Sequence, residues 1–319
     1  MAESCVVQSG GGGAVALPAP WQSWWERARL AYAPESVRAL EGDLKAWTVW
    51  CQAAGVDPWP ITADAMLGWL DGYVGAVASL RRRIASLRII ARASGNTDPT
   101  KEEKVRLAAK AAFRRLAAPQ NQALAWTWGN TRAETGEELR GRESPLVRIR
   151  DQAMIRVAYD TLARSSELRA LQVEELSEQP DGTGIVLLRK TKTDQERRGS
   201  WRFLSADTMR AVKTWMKMAG VKTWLFCGID QGVYPVTEKP LSTMGAWRVY
   251  QRMGARIGGE YSPHSTRVGA ACDMVAGGIE LPAIMQAGGW RSPEMVARYS
   301  ARLATANGAA ATLAKIQNR

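Results

Sequence analysis

The sequence predicts a mainly α-helical chain: an N-terminal helical bundle, then a larger, mostly helical domain carrying one small antiparallel β-sheet. Three observations predict it. Apolar residues recur at helical spacing from 21 to 117, a polar, Pro-containing break follows at 118–122, and the period becomes that of strands only between 184 and 205. The expected boundaries are a disordered tail over 1–20, the bundle over 21–117, a linker over 118–122 and a second domain over 123–319. At 319 residues two domains are expected, each large enough to bury a core.

The opening residues, MAESCVVQSGGGGAVALPAP, hold a glycine run and Glu3 but no basic stretch, so they read as a flexible tail and not as a secretion signal. Leu40, Leu44, Trp47 and Cys51 fall at i, i+4, i+7 and i+11 of a helix that Gly55 stops. Leu80, Ile84, Leu87 and Ala91 repeat that spacing up to Gly95. Thr100 with Glu103 reads as a capping box opening a third helix, with Val105, Ala109, Ala112 and Leu116 inside. Its other side carries Arg106, Lys110 and Arg114, while Arg81, Arg82 and Arg83 begin the basic part of the preceding helix. Beyond the linker, Met154, Val157, Ala158 and Leu162 share a face of a helix over 149–162. GIVLLRK (184–190) and SWRFLS (200–205) read as strands joined by the basic turn TKTDQERRG. The remainder is expected to be helical, broken at Gly258–Gly259, Gly277–Gly278 and Gly288–Gly289. In RSPEMVARYS, Ser292 suits an N-cap and Pro293 the first helical position, which puts Tyr299 on a short helix.

The composition, 46% hydrophobic and 23% charged, is that of a globular protein, but the net charge of +12 favours a polyanionic partner. Residues 1–74 carry four Lys and Arg against eight Asp and Glu, a net of −4; residues 75–120 carry eleven against three, a net of +8. That swing suggests one face built for an anion. Cys5, Cys51, Cys227 and Cys272 show no C-x-x-C spacing, and His264 is the chain's one histidine, so no metal cluster is expected. Free cysteines fit a reducing cytoplasm. No apolar run approaches the roughly 20 residues of a membrane span.

One reaction suits this small set of polar residues. Attack on a phosphodiester builds negative charge on the non-bridging oxygens, which guanidinium groups meet with paired, planar hydrogen bonds. A tyrosine hydroxyl can attack phosphorus and keep the product as a covalent ester; a lysine can protonate the departing alkoxide, and a histidine can assist the proton. The chain offers these in order: Arg164 with Glu167 three residues on, Lys192 in the turn between two strands, His264 and Arg267 as H-x-x-R, Trp290 closing QAGGW, and Tyr299 nine residues later. Singly each has an ordinary structural explanation; their joint order is the specific signal.

The chain resembles the tyrosine recombinase (phage integrase) family, in its Cre-like branch. HSTRVGAACDMVAGGIELPAIMQAGGW carries the resemblance over nearly its whole length, supported by AYDTLARSSEL, RKTKT, WLFC, PLST and QALAW. It is colinear from about 122 to 303 and fainter across the bundle, where WTVWCQAAG is the best piece.

The resemblance implies a catalytic domain over 123–319 and a C-shaped clamp around DNA, in which Tyr299 is the nucleophile that forms a 3′-phosphotyrosine. Arg164 and Arg267 would clamp the phosphate, Lys192 would be the general acid, His264 would handle protons, Trp290 would hydrogen-bond the phosphate and Glu167 would orient Arg164. It also implies double-stranded DNA with an inverted-repeat site, a homotetramer on two sites with a dimer on each, a Holliday junction, no cofactor or metal and no membrane. A C-terminal helix within 306–317 would dock on a neighbouring protomer. Arg81, Arg82, Arg83, Lys110, Arg114 and Arg115 are candidate DNA contacts, as are Met244, Arg248 and Arg252 on the helix after PLST, although Met cannot make the bidentate guanine contact of an arginine. The competing readings are a non-cleaving DNA-binding protein of the same fold and, among enzymes, a type IB topoisomerase, a telomere resolvase or a tyrosine transposase.

Overall fold

The structure is a computed structural model that describes residues 19–118, 122–135, 144–189, 199–230, 236–306 and 308–319. The expected N-terminal tail, most of the linker and the turn holding Lys192 lie outside the described residues. The chain divides into two compact units between Gln120 and Asn121.

The first unit is helical: α1 (Ala19–Ala31), α2 (Pro34–Ala54), α3 (Ala63–Asp71), α4 (Val77–Ala93) and α5 (Glu103–Arg115). Its core is aromatic at the start, where Trp21 stacks on Trp24 and Trp25, and again where Trp69 meets Trp47 and Tyr73, with aliphatic residues filling the rest. Leu40, Leu44, Trp47 and Cys51 are buried along α2, and Gly55 ends that helix at φ +66°, a left-handed position that suits glycine. Leu80, Leu87 and Ala91 are buried along α4.

The expected capping box of Thr100 and Glu103 is corrected. The Asp98 carboxylate takes both the Thr100 backbone N–H (3.0 Å) and its hydroxyl (2.6 Å), holding Pro99–Lys101 as a 3₁₀ turn, so α5 begins only at Glu103. An aspartate two residues back competes for the same donors that a capping box would use.

The second unit holds α6 (Trp128–Thr135), α7 (Pro145–Thr161), α8 (Ser165–Arg169), the strands β1 (Leu176–Glu178), β2 (Gly184–Leu188) and β3 (Ser200–Leu204), then α9 (Ala206–Ala219), β4 (Cys227–Ile229), β5 (Val236–Pro240), α10 (Thr243–Arg256), α11 (Ser265–Ala276), α12 (Leu281–Gly288), α13 (Pro293–Ala306) and α14 (Ala309–Ile316). Helix α7 is the spine: Ala153, Met154, Ile155, Val157 and Ala158 are all fully buried. The antiparallel sheet β1-β2-β3 covers one side of that core through Val186, Leu188 and Leu204. The expectation of helix throughout the remainder is corrected by the β4–β5 ladder, whose strands of three and five residues, one ending in Pro240, are too short to show a period of two.

Helix α11 is set by one glycine. A Cβ at Gly269 would lie 1.8 Å from the Trp126 carbonyl oxygen, so the two backbones meet directly, and the Trp126 N–H donates to Ser265 O at 2.9 Å. This contact fixes the first turn of α11, and with it His264 and Arg267.

Candidate active site

Local capping places the first arginine. Arg164 is the N-cap of α8; its backbone N–H donates to Glu167 Oε2 at 2.7 Å and its guanidinium Nη1 donates to Glu167 Oε1 at 2.8 Å. One buried carboxylate thus caps the helix and holds the guanidinium in a single orientation.

Arg267, 2% exposed, comes from the first turn of α11. It donates to Leu162 O through Nη1 and to Gly288 O through Nη2 at 3.1 Å. Leu162 ends α7 at φ +49°, a left-handed conformation that costs a branched residue about 1–2 kcal/mol. The turn leaves its carbonyl aimed at Arg267. Burial, then the positive charge of Arg164, pulls the Arg267 pKa down to about 10, so it remains cationic near neutrality.

The second half of the site is the α12–α13 corner. Gly289 closes α12 at φ +61°, and a Cβ at Gly288 would stand 2.3 Å from the Trp290 ring. Only glycine there lets the indole fold back over the helix end. The Trp290 ring centroid lies 5.1 Å from the Arg267 guanidinium carbon and 5.6 Å from the Tyr299 ring. Ser292 Oγ accepts from Glu294 N at 3.3 Å, and Pro293 is the first residue of α13, as the sequence suggests. Tyr299 is 6% exposed, and its backbone carbonyl accepts from Gln122 Nε2 at 3.0 Å. Its hydroxyl lies 2.7 Å from His264 Nε2. Burial first, then Arg267, Arg164 and Arg298, hold the His264 pKa below its ordinary value, so the ring is neutral near pH 7 and can accept the tyrosine proton.

Tyr299, His264, Arg267, Trp290, Arg164 and Glu167 are therefore gathered in one place; Lys192 lies outside the described residues. Buried donors in this neighbourhood point at nothing: Arg267 Nε, Trp290 Nε1 and Ser165 Oγ have no hydrogen-bond partner among the described residues. Orphaned donors beside two guanidinium groups are suited to an anion bearing several acceptor oxygens.

A residue not singled out from the sequence also belongs here. Arg202 on β3 lies against Gly289, and it opposes Arg267 and Arg164 electrostatically. Its signal was available as phase: in SWRFL an arginine stands on the face of Leu204, opposite Trp201 and Phe203.

Among the described residues, the candidate DNA contacts divide into unpaired and engaged groups. Lys110, Arg114 and Arg248 are exposed. Arg81 is exposed and stacks on Phe113 at 4.6 Å. Arg82 and Arg83 share buried Asp43, at 2.6 and 3.6 Å, and Arg115 donates to the carbonyls of Leu70 and Tyr73 at the end of α3. Arg252 is bound to buried Asp151 at 2.6 Å. Met244 and Trp247 are exposed on α10.

Comparison with known proteins bears on family and fold. The phage integrase family matches residues 142–305. Recombinase Cre of Escherichia phage P1 is 26% identical over 303 residues, 89% of this chain and 88% of Cre; an integrase/recombinase XerD homologue of Selenomonas ruminantium is 24% identical, over 86% of this chain and 83% of its own. Among solved structures, the Tn1549 transposon integrase in complex with transposon right-end DNA aligns with a TM-score of 0.61 at 14% identity, covering 89% of this chain and 97% of its own. A λ integrase dimer bound to a core site aligns with a TM-score of 0.55 at 17% identity, covering 88% and 76%. These structural likenesses establish the mostly helical fold with its small antiparallel sheets. The family match spans half of the sequence and includes every described residue gathered around Tyr299, so the chain belongs to the phage integrase family of tyrosine recombinases.

Proposed function

We propose that this protein is a site-specific DNA recombinase that cuts and rejoins duplex DNA through Tyr299. The observation that carries the reading is the 2.7 Å contact of the Tyr299 hydroxyl with neutral His264, set beside buried Arg267 and carboxylate-held Arg164. The Tyr299 oxygen attacks phosphorus as His264 Nε2 takes its proton; the bond to the 5′ oxygen breaks and Lys192 protonates that oxygen. A 3′-phosphotyrosine and a free 5′-hydroxyl result. Arg164 and Arg267 meet the charge that grows on the non-bridging oxygens, where one preorganised donor is worth about 10²–10³ in rate. The ester keeps the phosphodiester bond energy, so a second 5′-hydroxyl can reverse the chemistry without nucleotide or metal.

In this reading residues 123–319 form the catalytic domain, and 21–117 form a helical DNA-binding domain. Lys110, Arg114 and Arg81 contact the DNA backbone, while Met244 and Arg248 of α10 touch base edges. Four protomers pair two inverted-repeat sites and pass through a Holliday junction. Support for assembly comes from α14, none of whose residues is buried: Leu313 and Ile316 are 48% and 74% exposed, as suits a helix that docks on a neighbouring protomer. The names of relatives that are recombinases and integrases favour strand exchange over a non-cleaving role.

The test is covalent capture. The purified protein, a randomised duplex library and a chelator are mixed, denatured, and DNA that stays attached is sequenced. The parent should retain DNA and Tyr299→Phe should bind DNA yet retain none. Bound but never attached DNA with the parent overturns the reading in favour of a non-cleaving DNA-binding protein.

A further inference from the structure

Strand β3 is an edge strand with two unlike faces. Trp201 and Phe203 are more than half exposed on one, whereas Leu204 on the other is fully buried. Arg202 shares the inward face and pairs across the ladder with Val186, itself fully buried. An inward guanidinium at a core position is expensive unless it is paired. Here its Nε is buried with no partner among the described residues, and its Nη1 reaches only the carbonyl of neighbouring Trp201 at 3.3 Å.

The far end of the side chain leaves the core and arrives at the site. Its Nη2 lies so close to Gly289 that a Cβ there would stand 2.8 Å away, directly before Trp290. Burial lowers the Arg202 pKa; Glu167 favours its charge and Arg164 opposes it. Arg267 in turn is disfavoured by both Arg164 and Arg202. Three guanidinium groups thus converge around one carboxylate, and Glu167 is already committed to Arg164. The cluster has an excess of buried positive charge and orphaned donors that a phosphodiester would neutralise.

We propose that Arg202 is a third phosphate-binding guanidinium of this site, contacting a non-bridging oxygen of the phosphodiester that Tyr299 attacks. The inference rests on the recombinase reading for the identity of the anion, but its test has an arm that needs no DNA. A residue placed to bind an absent anion lowers the stability of the free protein, whereas a structural arginine raises it.

Arg202→Met keeps the length of the side chain and suits the inward face beside Leu204. Its melting temperature should exceed the parent's by about 2–4 °C in chloride, and sodium sulfate at matched ionic strength should raise the parent's melting temperature more than the variant's. A lower melting temperature with an unchanged sulfate response overturns the proposal. The second arm uses the duplex recovered by covalent capture, with the scissile position either phosphodiester or methylphosphonate. Arg202→Met and Arg202→Lys should slow adduct formation on the phosphodiester, by about 10²-fold for the methionine, and the gap should nearly close on the uncharged methylphosphonate. An equal loss on both substrates, or none on either, overturns it. A parent that attaches to neither substrate instead defeats the recombinase reading, leaving the sulfate arm to decide the anion site.

Discussion

Tyr299 and His264 share one hydrogen bond, and in the proposed reaction the proton it holds decides whether the hydroxyl can attack. The chain has one histidine, so in a tag-free preparation a single imidazole resonance reports its titration without assignment. The midpoint should fall below the ordinary value near 6.5. Because the unfolded chain then binds the proton at higher pH than the folded one, the stability this residue contributes is complete above that value and is lost as pH falls through the window below it. Arg164→Ala removes one of the cations that hold the midpoint down, so it should rise toward 6.5; a midpoint above 6.5 in the parent would contradict the burial described. Lys192→Ala should slow cleavage strongly while leaving DNA binding intact, measured as the rate of adduct formation against the equilibrium of binding. The candidate site residues gathered around Tyr299 were legible as an ordered set of residue types because phosphoryl chemistry needs few kinds of group. Arg202 was not, because a lone arginine in a strand becomes informative only once the inward face is known.

At the scale of elements, the contact that carries His264 and Arg267 is backbone against backbone at Gly269. Gly269→Ala puts a methyl 1.8 Å from the Trp126 carbonyl oxygen, in a place where neither partner is a flexible side chain. It should destabilise the second unit by about 3 kcal/mol or more, the upper range for overpacking, and lower the melting temperature in step, whereas Gly42→Ala, with nothing within 4 Å of its added Cβ, should not. Helices were legible wherever a period of 3.6 ran for three turns, as at Leu40 to Cys51. Their starts were not where local side chains compete for one backbone donor, as Asp98 does with Glu103 for the Thr100 N–H. The β4–β5 ladder escaped notice because three residues of Cys-Gly-Ile carry no alternation and its partner strand ends in proline. On α10, exposed Met244 beside Arg248 suits apolar and charged contacts with base edges, so substitutions at these two positions should change which sequence is captured. Unchanged capture by both variants would remove α10 from base reading.

For the whole molecule, the question is how a protein with a net charge of +12 spends its positive charge. Part of it is engaged within the protein: Arg82 and Arg83 serve Asp43, Arg115 serves the end of α3, and Arg252 serves Asp151. The cations left exposed on the helical unit, Lys110 and Arg114 among them, are the ones available to displace counterions from DNA. The logarithm of affinity should therefore fall linearly with the logarithm of salt, and Lys110→Ala should make that slope shallower by about 1 without altering the captured sequence. Arg82→Ala should behave differently, since it removes a partner of a buried carboxylate: it should lower the melting temperature more than it changes the slope. Assembly separates from both. Leu313→Asp with Ile316→Asp changes only side chains that the folded chain leaves exposed, so stability and single-site adduct formation should hold near the parent's level. If α14 docks on a neighbour, light scattering of the double variant on two-site DNA should show the paired complex lost. A double variant that still pairs sites would place the contact between protomers elsewhere.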